Sequence, residues 1–388
     1  MRRLTENALA AVASGLVMLG YGTHTEVRAQ EAPIGYERYV TGIGWVDFEL
    51  LIAGDGGRVS WYRGGEHERI AFDSHVAPGR IEVFTINPDG SDRRCVTCDS
   101  PGLELARNLA PDDRYGELVG QPEWYPLGGE LLLVQVENEH STDSFKEHPS
   151  WGINNDLWML EEDGAQAQKV YDTPAGQAAL HPHFNRFGTQ LIFASKLWSA
   201  NPWLRWHIHR SDVDIARLGQ NRLTSHAALQ PAGAGFYETH GFAGTLQGWM
   251  TFSFTPEGAG LFVQDSYAAT IAGTLPTRLT FEPTSWTEHA TYSPSEASLA
   301  YNSSSPFGWR PIVGVSGLRT ELFLKKGEET YQITAMNQDR DPVNFQYVVS
   351  DFDWDQDGRR LVVQVAVNAS GGLPLWVENW IVTFPQPQ

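Results

Sequence analysis

One short pattern is written six times along this chain: a strand carrying an aromatic residue, a turn, then an apolar strand. It reads LHPHFNRFGTQLIFAS from Leu180, RVSWYRGGEHERIAFDS from Arg58, QPEWYPLGGELLLVQV from Gln121, EHATYSPSEASLAYNS from Glu288 and SDFDWDQDGRRLVVQV from Ser350. A weaker copy, THGFAGTLQGWMTFSF, begins at Thr239. A third strand follows each copy (RIEVFTI, NDLWMLE, WHIHRSD, GLFVQDS, ELFLKKG, LWVENW), and most units add a fourth before the next begins (RRCVTCD, QKVYDTP, NRLTSH, TRLTFE, YQITAM). Recurrence at this spacing marks a supersecondary unit that cannot bury its own apolar face and must stack on its neighbours. No convincing 3.6-residue periodicity follows the N-terminal segment, so the units are antiparallel sheets. Such sheets carry free edges, and radial closure is the arrangement that leaves only short, protected ones. The expected fold is therefore all-β: a six-bladed β-propeller with four-stranded antiparallel blades. At 388 residues the chain is long enough for about two or three domains, but the repeat favours one closed array over residues 58–388.

Two segments precede the repeats. Residues 1–29 read as a signal peptide: Arg2 and Arg3, the apolar run Ala8–Gly20, then Val27-Arg28-Ala29 as a small-residue cleavage site. The apolar run is too short to span a bilayer, and an anchoring helix is the alternative. The paired arginines raise twin-arginine export, for which Leu4-Thr5-Glu6 is a poor match. A periplasmic or secreted protein is expected. Residues 30–57 are strand-rich (YERYVTG, GWVDFELLIAG). The last unit lacks an obvious fourth strand, so this lead-in is expected to supply one and close the ring. Net charge is −19, which argues against nucleic acid, whose phosphates demand a basic footprint. No later segment is long and apolar enough to cross a membrane as a helix.

The aromatic strand, the proline- or glycine-containing turn, the apolar strand and the strand ending in Asp-Gly before an RLT-like strand resemble the TolB-like propeller repeat. RIEVFTINPDGSDRRCVTC and EHATYSPSEASLAYNSSS carry the resemblance best. It implies the propeller fold and, more weakly, a binding or scaffold role. Similar propellers accompany the hydrolase domain of prolyl oligopeptidases, but Gly314-Val315-Ser316-Gly317 lacks the spacing of a nucleophile elbow. Oligogalacturonate lyases are related propellers with histidines and a glutamine around manganese, and the likeness here is limited to a polar, histidine-containing centre.

Two sets of residues are candidates for function. Long insertions bring Trp151, Trp198, Trp203 and Trp309 to one end of the array, where they would stack on a glycan, contact a protein ligand, or cover the propeller's end. Three residues before each inner-strand aromatic stand Arg58, Gln121, His181, His289 and Asp351, with Thr239 or His240 in the fourth unit. Inner strands line a propeller's channel, so these side chains should converge. Imidazoles with a carboxylate and an amide suit a divalent metal (Mn, Zn or Ca), and a water-filled polar channel is the alternative. Arg58, Glu238 and Glu288 are the candidate catalytic groups, the two glutamates also reading as solvated loop carboxylates. Two function classes stay open: the favoured reading is a binding or scaffold module for a protein or glycan through the Trp-rich face, because the sequence gives a fold outright and a catalytic constellation only by inference, and the alternative is a metal-dependent polysaccharide lyase or hydrolase at the channel.

Three further motifs read as structural. Asp353, Asp355, Asp357 and Gly358 imitate a calcium loop but occupy the repeat's ordinary turn, with Gln364 where the last ligand should stand. Cys95 and Cys98 are the only cysteines, and a local disulfide in an oxidising compartment is expected. His207 and His209 share one face of a third strand, read as rim residues without a third partner.

Overall fold

The computed structural model describes residues 35–63, 67–104, 117–142, 147–199, 204–214, 222–243, 248–259, 263–282, 285–308, 318–340, 345–369 and 374–388. The signal-like segment lies outside them. Alternating burial sorts the strands into six antiparallel sheets. Blade one is β3 (Val59–Trp61), β4 (Ile70–Ala77), β5 (Arg80–Ile86) and β6 (Arg94–Cys95). Blade two is β7 (Val119–Trp124), β8 (Leu131–Glu137), β9 (Asn155–Glu161) and β10 (Ala167–Tyr171). Blade three is β11 (Leu180–Phe184), β12 (Gln190–Lys196), β13 (Trp206–Asp214) and β14 (Arg222–Leu229). Blade four is β15 (Gly235–Phe242), β16 (Trp249–Pro256), β17 (Asp265–Thr270) and β18 (Thr277–Arg278). Blade five is β19 (Thr287–Tyr292), β20 (Leu299–Ser303), β21 (Glu321–Lys326) and β22 (Glu329–Gln332). Each inner strand touches the inner strand of the next blade, and β23 (Phe345–Trp354) of blade six touches β3 of blade one, so the ring closes. Of the GLFVQDS segment in blade four, residues 260–262 lie outside the described residues and Asp265 begins the third strand.

Blade six joins the chain's two ends. β23 and β24 (Arg360–Ala369) pair with β25 (Pro374–Thr383), whose outer edge pairs with β2 (Gly44–Ile52), which in turn pairs with β1 (Gly35–Val40). The lead-in therefore contributes the fourth strand and a fifth beyond it. Val46, Phe48 and Ile52 face inward and are buried, while Trp45 on the opposite face is 59% exposed. Phe48 lies stacked on Tyr36 at 4.5 Å, in a cluster with Trp354, Trp380 and Val382. Arg38 donates to the carbonyls of Gln332 and Ile333, binding the hairpin to blade five.

The turn motifs behave as ordinary turns. Asp355 accepts from the Arg359 amide at 2.8 Å and from Arg360 Nε at 3.0 Å, and Gly358 takes φ 67°, where a side chain would be strained. Cys95 and Cys98 form a disulfide at the outer edge of blade one.

If β2 is part of the last blade's core, Phe48→Ala should cost about 3–5 kcal/mol in urea unfolding. Trp45→Ala, on the same strand but facing out, should stay within about 0.5 kcal/mol of wild type. Equal effects would mean the hairpin does not close the ring.

Candidate functional site

Inner strands present an unpaired edge to the channel, and each buried amide there needs a partner. Five of the six inner strands break register at the channel: between Gly120 and Glu123, Leu180 and His183, Thr239 and Gly241, Glu288 and Thr291, and Val349 and Phe352. These are β-bulges, which re-aim a side chain at the cost of one ladder bond. Gln121, His181 and His289 take φ of 54°, 51° and 59° there, and Gly241 takes 132° beside His240. Polar residues tolerate this left-handed region better than the β-branched residues that fill the rest of the strands. The freed amides are capped by the preceding blade. Asp73 Oδ2 accepts from Gln121 N at 2.8 Å, Gln121 Oε1 from His181 N at 3.1 Å, and His240 Nε2 from His289 N at 3.3 Å. Arg58 Nη1 reaches Asp351 Oδ1 at 3.0 Å and joins the last blade to the first.

The predicted column therefore converges. In blade four the converging residue is His240, while Thr239 turns aside to bond the carbonyl of His181 at 2.6 Å. His181, His240 and His289 are buried, and one ligand atom from each lies within 4.8 Å of the others. Both ring nitrogens of His181, Nδ1 of His240 and Nε2 of Gln121 are buried without a hydrogen-bond partner among the described residues. His289 gives Nδ1 to Asp351 Oδ1 at 2.9 Å, which leaves Nε2 as its available nitrogen. His240 Nε2 stands 2.7 Å from Ser253 Oγ, close enough to give its proton there in place of the long contact to the His289 amide.

Electrostatics divide the hub into neutral rings and one charged pair. Burial, with Arg58 and the neighbouring rings, holds His181 well below the ordinary histidine range. His240 is held low by burial and by His289. Burial alone would raise Asp351, but Arg58 and His289 outweigh it and bring the carboxyl down to about 2. Asp73 goes the other way, pushed up to about 6 by burial against its two amide donors and Arg58. Glu238 and Glu288 are not solvated loop carboxylates: both are buried strand residues, hydrogen-bonded to each other. Burial and Glu238 raise Glu288 well above the carboxylate range, which favours its protonated form. Trp286 Nε1 and Gln264 Nε2 donate to this pair at 2.6 and 2.8 Å.

Arg58, His289 and Asp351 separate two cavities. One, of about 30 Å³, lies toward Ser74, His148 and Gln364 and holds room for about two waters. The other is a cleft of about 460 Å³ at the end where first strands turn into second strands, and His181, His240 and His289 all line it. His183, two positions after His181 and so expected on the same strand face as a ligand or a cap on the channel wall, forms its wall with Glu123, Nδ1 3.5 Å from Oε2. Arg63 and Arg186 stand at the cleft as well. The Trp-rich face is a different matter. Trp151 is 3% exposed, packed with Leu180, Trp206 and Phe236 between blades, and offers a ligand no surface. Trp198 is 65% exposed. Trp203 and Trp309 lie outside the described residues.

Asp351 is more acidic folded than unfolded, so its contribution of about 2 kcal/mol is present above about pH 4 and is lost as pH falls toward 2. Asp73 is less acidic folded, so stability is gained as pH falls through 6 toward 4. Asp351→Asn should therefore unfold at lower urea than wild type at pH 7, with the gap shrinking at pH 3. A gap that does not change with pH would refute the assignment.

No protein-family model matches the chain, and no curated protein sequence matches it. Solved structures do. TolB from Acinetobacter baumannii matches over 90% of this chain and 67% of its own, at 12% identity and TM-score 0.48. An oligogalacturonate lyase in complex with manganese matches over 90% and 96%, at 10% identity and TM-score 0.46. A Mycobacterium tuberculosis puromycin-hydrolyzing peptidase matches over 87% and 52%, at 10% identity and TM-score 0.47. The chain is a six-bladed β-propeller, similar in fold to TolB-like propellers.

Proposed function

We propose that this propeller is an exported, metal-dependent enzyme whose hub histidines hold a divalent ion at the floor of the cleft. The observation that carries the reading is the set of buried imidazoles at His181, His240 and His289, with three ring nitrogens left without partners. A buried polar atom left unsatisfied costs about 1–3 kcal/mol, and among the described residues no protein group offers these nitrogens a hydrogen bond. Two ligands across an ion at about 2.1 Å each lie at most about 4.2 Å apart, so the observed spread closes with small ring rotations. His181 and His240 are both held below the ordinary histidine range, which favours the neutral rings that ligation requires. Asp351 fixes the His289 tautomer from behind, the usual second layer of a histidine site. Mn or Zn suits imidazole better than Ca, which prefers oxygen ligands.

A bound ion would supply Lewis-acid polarisation of a substrate oxygen. The protein's own groups would do the rest. Arg186, exposed and stacked over Phe187, and Arg63 at the cleft favour an acidic ligand. His183, placed against Glu123, lines the wall of the cleft. The substrate class that fits is a carboxylate-bearing glycan, and the reaction a lyase or hydrolase step. Export is supported by the N-terminal segment and by the Cys95–Cys98 disulfide, which persists in an oxidising compartment. The exposed Trp198 favours a second reading, a non-catalytic module that binds a protein or glycan.

Purified, tag-free protein should carry or take up one equivalent of Mn or Zn at the hub, lost in a His181→Ala/His289→Ala variant that remains folded. Eliminase or hydrolase activity on acidic oligosaccharides should fall at least about a hundredfold in that variant. Absence of hub metal under Mn and Zn titration would leave the binding-module reading.

A further inference from the structure

His207 and His209 were expected at the rim without a third partner. The fold buries both and supplies one: His226, on the neighbouring strand β14. His209 and Ser211 lie on one face of β13, two residues apart, and His226 meets them across the ladder. His209 Nε2 is 3.1 Å from His226 Nδ1. Ser211 Oγ is 3.1 Å from the first nitrogen and 2.8 Å from the second. Neighbouring ligands around an ion at about 2.1 Å are themselves about 3.0–3.4 Å apart, so the two nitrogens already hold that separation. The His209 ring is fixed, stacked on Phe193 at 4.5 Å and edge-on to Tyr171 at 5.1 Å. Burial and His226 hold it far down, at about 3, so a lone pair is available at neutral pH. His226 is exposed, which leaves open coordination positions for water.

We propose that His209 and His226, with Ser211 Oγ beside them, form a second transition-metal site on the flank of blade three, distinct from the hub. Paired imidazole nitrogens select Zn²⁺, Cu²⁺ or Ni²⁺ over Mg²⁺ or Ca²⁺. His207, whose ring centre is 6.4 Å from that of His209, stays outside the first set of ligands. In its metal-free form the cluster is a hydrogen-bonded triangle with one proton between the two rings; on binding, the ring that holds this proton carries it on its other nitrogen instead, and the ion sits beside the N···N line within reach of both lone pairs. The site ties β13 to β14 and is independent of any chemistry in the cleft.

The test is Cu²⁺ titration of the full-length, tag-free protein, read by calorimetry and by electron paramagnetic resonance. Wild type should show a species with coupling to two nitrogens. His226→Ala, an exposed substitution checked for folding by circular dichroism, should lose that species and one bound equivalent. His181→Ala/His289→Ala should keep both. Should the hub hold no ion, wild type would still bind the His226-dependent equivalent, so the two assignments fail separately. Uptake by His226→Ala of as many Cu²⁺ equivalents as wild type, at the same affinity, would overturn the proposal.

Discussion

Everything in this molecule depends on how the free edges of its inner strands are satisfied. A ring of sheets must turn one unpaired edge per blade toward the axis, where an uncapped amide costs about 1–3 kcal/mol. The chain answers with side chains from the neighbouring blade. Asp73 caps Gln121, and Gln121 caps His181. One layer further along, Asp353 caps Trp61, Ser60 caps Trp124, and Glu123 caps Phe184. Arg58 and Asp351 complete the circuit by charge. Blade-to-blade docking is thus directional as well as hydrophobic, which fixes the rotation of each sheet about the axis.

That requirement explains why the hub is polar, but not why it is rich in imidazole. Gln121 does its capping with one atom and remains unsatisfied at the other. His181 caps no neighbour through its ring and still lies fully inside. The hub also faces one way. The side beyond the Arg58–Asp351 pair has room for little more than water, whereas the cleft is large enough for a small ligand. Any chemistry at the hub therefore belongs to the end where first strands turn into second strands, away from Trp198.

Closure of the ring is held by hydrophobic packing at blade six. β2 and β25 come from opposite ends of the chain, and their shared core includes Phe48, Trp354 and Trp380. Asn379 adds a polar lock, accepting from Gly57 N at 3.0 Å and donating to Gly57 O at 2.8 Å. A Cβ on Gly57 would meet the Asp73 carbonyl at 1.8 Å, so the chain passes this junction only as glycine. The junction joins the clasp to the hub, because Asp73 also accepts from the Arg58 amide.

The repeat, the alternation of apolar residues and the polar column three places before each aromatic were legible in the sequence, because each reflects a local rule. Strand periodicity follows from the pleat, turn residues from backbone sterics, and the column from a unit reused six times. Disulfide formation between Cys95 and Cys98 needed only their proximity in the chain. Other features depended on residues far apart in sequence. Trp151 reads as a rim aromatic, yet becomes core where blades three and four close over it. Glu238 and Glu288 read as loop carboxylates until adjacent blades press them together in a dry environment. His226 has no motif of its own and gains meaning only from strand register beside His209. Burial and mutual distance set the chemistry of such groups, and both quantities exist only once the wheel has closed.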